Sequence, residues 1–314
     1  MKRGKTIIHE GSFRDPDGFL FYVDEEIYRQ VNLSASDDYD LLKSSGLYET
    51  LVGKGLLIRH EEVEVSSPRP EKKYRIIKPE RVGFLSYPYE WSFSQLKDAA
   101  LLTLEIQLIA LDHGMCLKDA SAYNVQFNKG KPIFIDTLSL EEYREGRPWV
   151  AYRQFCQHFL APLALMALVD VRIGRMAWNN IDGIPLDLAN ALLRWKILLD
   201  PKLMIHLCLH ARAQKKYSSP DPRKIQKSFP LLAHRGLVDS LTKAVNNLTL
   251  HEKPSGWMDY YETNQYTQES FDHKKELVTR FLDLVDGDTL LDLGSNTGVF
   301  SRIASRKGFS VISR

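Results

Sequence analysis

Leu290-Leu-Asp-Leu-Gly-Ser-Asn-Thr-Gly298 is the stretch that decides the fold of the C-terminal part of this chain. Leu290, Leu291 and Leu293 read as a short apolar strand, and Val299, Phe300, Ile303 and Ala304 as the start of an amphipathic helix. Between them lie Gly294 and Gly298, four positions apart, where a backbone must turn sharply and leave room for a ligand. Phe309-Ser-Val-Ile312 then predicts a second strand, giving the first part of a βαβ unit.

Working outward, a helix is expected over about Gln268 to Leu284, with Phe271, Leu277, Val278, Phe281 and Leu282 on one side. The segment Thr249 to Gly256 is linker-like and places a boundary near residue 251. Upstream, a hairpin is predicted over 19–32 around Asp24-Glu-Glu26, and one helix from about Ser36 to Leu51, weakened by Gly46. Strands are predicted over Leu56–Val65 and Tyr74–Ile77. Ser92 and Gln95 form a capping-box pair for a helix that is apolar nearly all round from Phe93 to Leu111 and ends at Gly114. Val125-Gln-Phe127 and Ile133-Phe-Ile135 form a second hairpin, after which the chain reads as helical from Pro148 to about Leu248.

Two patterns carry chemistry. Asp292 at the strand end, followed by the glycine turn, resembles the first motif of class I S-adenosylmethionine-dependent methyltransferases. That resemblance implies an S-adenosylmethionine pocket lined by Asp292, Gly294, Ser295 and Gly298, with Trp257, Tyr261 and Tyr266 closing over the cofactor. Leu117-Lys-Asp119-Ala-Ser-Ala-Tyr-Asn124 and Ile133-Phe-Ile-Asp136 resemble the catalytic loop and metal-binding aspartate of protein kinases. There Asp119 would orient an acceptor hydroxyl, and Asn124 and Asp136 would hold magnesium against the phosphates of ATP. In the same comparison Arg29 takes the place of the third-strand lysine and Glu49 that of its helix partner, while the turn from Gly11 to Gly18 is a poor glycine loop. Arginine for lysine is not a neutral exchange at such a position.

Together these patterns, with Trp149–Leu163, resemble a bacterial group of nodulation-protein-related methyltransferases. The fold class expected is an α+β kinase-like N-terminal domain followed by the first βα unit of a Rossmann-like α/β methyltransferase domain. The expected divisions are an α+β lobe over 1–88, a mainly helical lobe over 89–250 and the opening of a cofactor domain over 251–314. The carboxylate that usually holds the cofactor's ribose would fall at or beyond Arg314, so the cofactor domain is expected to be incomplete here and methyl transfer inactive. A kinase-like phosphotransferase or a non-catalytic recognition module is the alternative. The methyl acceptor is unidentified.

Composition narrows the setting. Forty-two basic and forty acidic side chains leave a formal charge of +2, and a nucleic-acid partner is not expected. Cys116, Cys156 and Cys208 are three in number and widely spaced, which excludes a full disulfide framework and suits a reducing cytoplasm. No stretch reads as a signal peptide or a membrane span, since Phe159 to Val171 is short and interrupted by Pro162 and Asp170. His206 and His210 lie four apart but lack a third metal ligand, and packed histidines explain them better.

Overall fold

A computed structural model describes residues 6–12, 15–209, 229–250 and 267–313. The chain divides into two units, Met1–Leu250 and His251–Arg314. Trp257, Tyr261, Tyr266 and His210 lie outside the described residues. Among the described residues no helix is long and apolar enough to cross a membrane.

The first unit opens with an antiparallel sheet of five strands: β1 (Thr6–Ile8), β2 (Gly18–Val23), β3 (Glu26–Asn32), β4 (His60–Glu62) and β5 (Lys73–Pro79), in the order β1-β2-β3-β5-β4. The predicted hairpin is β2–β3, turning at Asp24, a non-glycine residue with φ of 56°. Alternation sorts its side chains between two faces. Phe19 and Phe21 pack with Ile76, Val63 and Val65 on one face. Leu20 opposite Arg29, and Tyr22 opposite Ile27, line the other.

Two expectations are corrected. The single helix over 36–51 is two, α1 (Ser36–Ser44) and α2 (Leu47–Gly53), because Gly46 adopts φ of 77° and turns the chain between them. The single strand over 56–65 is also divided. Leu56 to Ile58 pairs with Phe134 of the second hairpin through Phe134 N–H to Leu56 O (2.9 Å) and Ile58 N–H to Phe134 O (2.8 Å), and only His60–Glu62 joins the five-stranded sheet. That short parallel bridge ties the sheet to the residues that follow Phe134.

Helix α3 (Phe93–Asp112) is capped as expected, with Ser92 accepting from the Gln95 N–H and Gln95 accepting from the Ser92 N–H. It is buried on most of its faces because the helix Leu231–Asn247, the helix Ala161–Leu168 and the strand β6 (Met115–Leu117) all pack against it. The second hairpin is β7 (Val125–Asn128) with β8 (Lys131–Phe134), and β6 pairs with β9 (Leu140–Glu142). A long helical stretch runs Tyr152–Phe155, then a wider turn over Cys156–Leu160, then Ala161–Leu168. The wide turn immediately precedes Pro162, whose ring and missing N–H would disrupt regular α-helix there.

The second unit contains the helix Gln268–Leu282, β10 (Thr289–Asp292), the helix Val299–Arg306 and β11 (Ser310–Ser313). β10 and β11 pair in parallel, Leu290 opposite Val311 and Leu291 opposite Ile312, so the intervening helix is a crossover connection.

Candidate functional site

The loops after β6 and β8 bring Asp119, Asn124 and Asp136 into one cluster. The Leu117 backbone is fixed first. Its N–H donates to Gln107 Oε1 (2.7 Å), its carbonyl accepts from Trp149 Nε1 (2.8 Å), and the next N–H, of Lys118, donates to Ser139 O (2.8 Å). Gln107 is itself oriented by His234 Nε2 at 3.1 Å. Burial holds the His234 imidazole neutral, with its pKa down to about 4. Asp119 therefore leaves a strand whose end is held by two buried side chains, Gln107 of α3 and Trp149, with His234 behind Gln107.

Asp119 Oδ1 accepts from the Ser121 N–H (2.9 Å), a turn-capping bond. Gln154 and Asn124 favour its charged form, while Gln154 Oε1 accepts from the Ala120 N–H (2.8 Å). Burial pushes the Asp119 carboxyl above the usual range, and the nearby charge of Asp136 adds to this. Asn124 Nδ2 donates to Ser139 Oγ (3.0 Å), and Ser139 Oγ donates to Asp136 Oδ2 (2.8 Å). Ser139 thus joins Asn124 to Asp136. Among the described residues, no group of three or more His, Cys, Asp or Glu side chains is placed to hold a metal ion.

Arg29 dominates the other side of Asp136. Its Nη1 donates to Asp136 Oδ1 and its Nη2 to Asp15 Oδ2 (2.8 Å). Burial opposes ionisation of both partners, but the mutual attraction outweighs it: the Asp136 carboxyl is held below the usual range and the Arg29 guanidinium above its own. The lysine–glutamate clamp suggested by the kinase resemblance does not form. Glu49 is largely exposed and pairs with Lys43 Nζ at 3.3 Å. The physical cause is local: Gly46 separates α2 from α1, and Glu49 lies on the solvent side, whereas Arg29 points from the inner sheet face towards Asp136.

Within the Gly11 to Gly18 turn, a poor glycine loop by sequence, the chain carries Asp15-Pro16-Asp17. Pro16 O accepts from Asn32 Nδ2 (2.8 Å) and Ser34 Oγ (3.1 Å), and Asp17 O from the Asn32 N–H (2.8 Å). Asp17 in turn binds Lys118 Nζ at 2.6 Å, with Asp38 a further 3.7 Å partner of that lysine. Gly18 follows in tight quarters, where a Cβ would lie 2.4 Å from Gln30 O and 2.6 Å from Leu138 Cδ1. The two cations beside the cluster are therefore both engaged by carboxylates of this segment. Asp15, Asp17, Lys118, Ser139 and Gln154 were not singled out from sequence. A serine three residues after Asp136 was the one available signal, since such spacing favours a side-chain turn bond.

In the second unit, Gly294 and Gly298 adopt φ of 72° and 71°, and Asn296 of 46°, so the turn after β10 is left-handed at three positions. A Cβ on Gly294 would meet nothing within 4 Å. Asp292 Oδ2 accepts from Ser301 Oγ on the crossover helix, and Ser313 Oγ donates to the same Ser301 Oγ (2.8 Å). Asp292 thus sits at the strand end beside the open turn, and the hydroxyls of Ser301 and Ser313 link the helix and β11 to it.

The chain is homologous to nodulation protein NoeA of Rhizobium meliloti (strain 1021), with 34% identity over 305 residues that take in 95% of this chain and 64% of that protein. It therefore spans somewhat less than two thirds of the length of this curated relative. No family model matches. Fold neighbours among solved structures include vaccinia-related kinase 3, at 9% identity and a TM-score of 0.38 over 80% of this chain and 93% of that one. A second is the kinase domain of Mycobacterium tuberculosis PknI in double-mutant form, at 11% identity and a TM-score of 0.34 over 78% and 91%.

Proposed function

We propose that this chain comprises a recognition region and cofactor-binding residues of an S-adenosylmethionine-dependent methyltransferase acting on an unidentified acceptor. The observation that supports this most is the β10–turn–helix–β11 unit, with Asp292 at the strand end and open, left-handed glycines directly after it. These residues fit the group. The open backbone at Gly294 would let a ligand approach, Ser295 and Gly298 would border it, and the Asp292 carboxylate would orient a cationic ammonium. S-adenosylmethionine would supply the electrophilic methyl group. The test is thermal melting of the full-length protein with S-adenosylhomocysteine and, separately, with ATP and magnesium. A rise in Tm with the former alone supports the reading, and a rise with ATP alone overturns it.

Phosphoryl transfer is a second reading, favoured by the convergence of Asp119, Asn124 and Asp136. In that chemistry the three would act with ATP and magnesium. The Arg29 pair counts against it. A cation held by two carboxylates is poorly available to phosphate, and Asp136 bound to Arg29 is poorly available to a metal. We therefore read residues 6–250 as a non-catalytic recognition module. Turnover of ATP that disappears in Asp136→Ala would reverse that assignment.

A further inference from the structure

A cavity of about 430 Å³ lies between the inner face of the five-stranded sheet and the loop carrying Asp136. Its size falls in the range of small-molecule sites. The sheet contributes Leu20, Tyr22 and Ile27, all on one face by the β2–β3 register, and Ile135 lines it from the loop after β8. Leu85, 59% exposed, also lines it and marks its mouth. One edge is formed by the connection after β5, and among the described residues the backbone of residues 81–85 makes no hydrogen bond to another part of the chain. Main-chain donors and acceptors there are available to a ligand edge.

The opposite end is closed by charge already neutralised. Arg29 reaches the cavity wall but holds Asp136 and Asp15, and Lys118, which does not line the cavity, holds Asp17 and Asp38. Glu80, beside Arg59 at 3.7 Å, and Arg81 line it from the connection after β5. An anionic ligand group arriving at the Arg29 end would have to separate a buried ion pair and would face the carboxylates so released, a large penalty.

We propose that this cavity is a binding site for an uncharged, predominantly apolar small molecule, and that its Arg29 end does not accept the phosphates of a nucleoside triphosphate. The apolar side chains of the sheet face and Ile135 line it, the free backbone after β5 can meet a polar edge of the ligand, and the closed Arg29–Asp136 pair limits the ligand's length. This assignment is independent of the methyltransferase reading.

The probe is N-phenyl-1-naphthylamine, an uncharged fused-ring dye that brightens in apolar surroundings, titrated into the whole chain. Saturable enhancement is expected, unaffected by millimolar ATP with magnesium. Ile27→Trp and Leu20→Trp, which fill the cavity from half-buried positions, are each expected to weaken the dye by about tenfold or more. Tyr28→Trp, on the opposite sheet face, should leave it unchanged. Circular dichroism establishes that each variant folds, and either cavity variant alone suffices. The proposal is overturned by displacement of the dye by ATP with magnesium, by equal binding in the folded cavity variants, or by no enhancement at all.

Discussion

The guanidinium of Arg29, on the inner face of the sheet, bridges Asp136 at the end of the second hairpin and Asp15 in the segment before β2. A single side chain thereby joins three stretches of sequence. Removing one partner of this largely but not fully buried pair leaves an uncompensated charge. Arg29→Met is expected to lower the unfolding free energy by about 3–5 kcal/mol in urea titrations, and Arg29→Met combined with Asp136→Leu by clearly less than the sum of the two single changes. Additive losses would show that the pair is not coupled.

Gly18 is required by space, not by backbone angle. A Cβ there would press on Gln30 O and on Leu138. Gly18→Ala is expected to cost on the order of 1–3 kcal/mol. An unchanged denaturation midpoint would show that β2 does not approach the Asp136 loop this closely.

Gln107 supports the start of the Asp119 loop through Leu117. Gln107→Leu strands the buried Leu117 N–H and is expected to cost about 1–3 kcal/mol. Amide exchange at Leu117 should accelerate more than at Met115. Uniform acceleration along β6 would point to a general loss of stability instead.

Three buried histidines set a pH dependence. Burial lowers the pKa of His60, His158 and His234 from 6.5 to about 4. The folded protein keeps them neutral where the unfolded chain binds protons, so their contribution is complete above pH 6.5 and is lost as the pH falls towards 4. Calorimetric Tm should decline across that window, with roughly two to three protons taken up on unfolding near pH 5. Asp17 and Asp136, whose carboxyls are held low, extend the loss to more acid pH. A flat Tm between pH 6.5 and 4 would contradict the burial of these rings.

Much of this was legible in the chain itself. The Ser92–Gln95 pair, the turn at Asn128–Lys131 and the glycines at 294 and 298 are local signals, and each lies where the structure places the corresponding element boundary. Spacing also drew attention to Asp119, Asn124 and Asp136. What spacing does not contain is who binds them. Arg29 meets Asp136 across 107 positions and Lys118 meets Asp17 across 101, and ion pairs of that separation follow from tertiary packing. The division of residues 56–65 was hidden for the same reason, since the partner of Leu56 and Ile58 is the distant Phe134.

The proposed binding of S-adenosylmethionine at the turn after β10 stands or falls on one titration. Isothermal titration of S-adenosylmethionine into the full-length protein tests it most directly, with Asp292→Ala and Asp119→Ala alongside. One cofactor per chain should bind to the parent and to Asp119→Ala, with binding lost in Asp292→Ala. No heat of binding in the parent, or equal affinity in a folded Asp292→Ala variant, would contradict it.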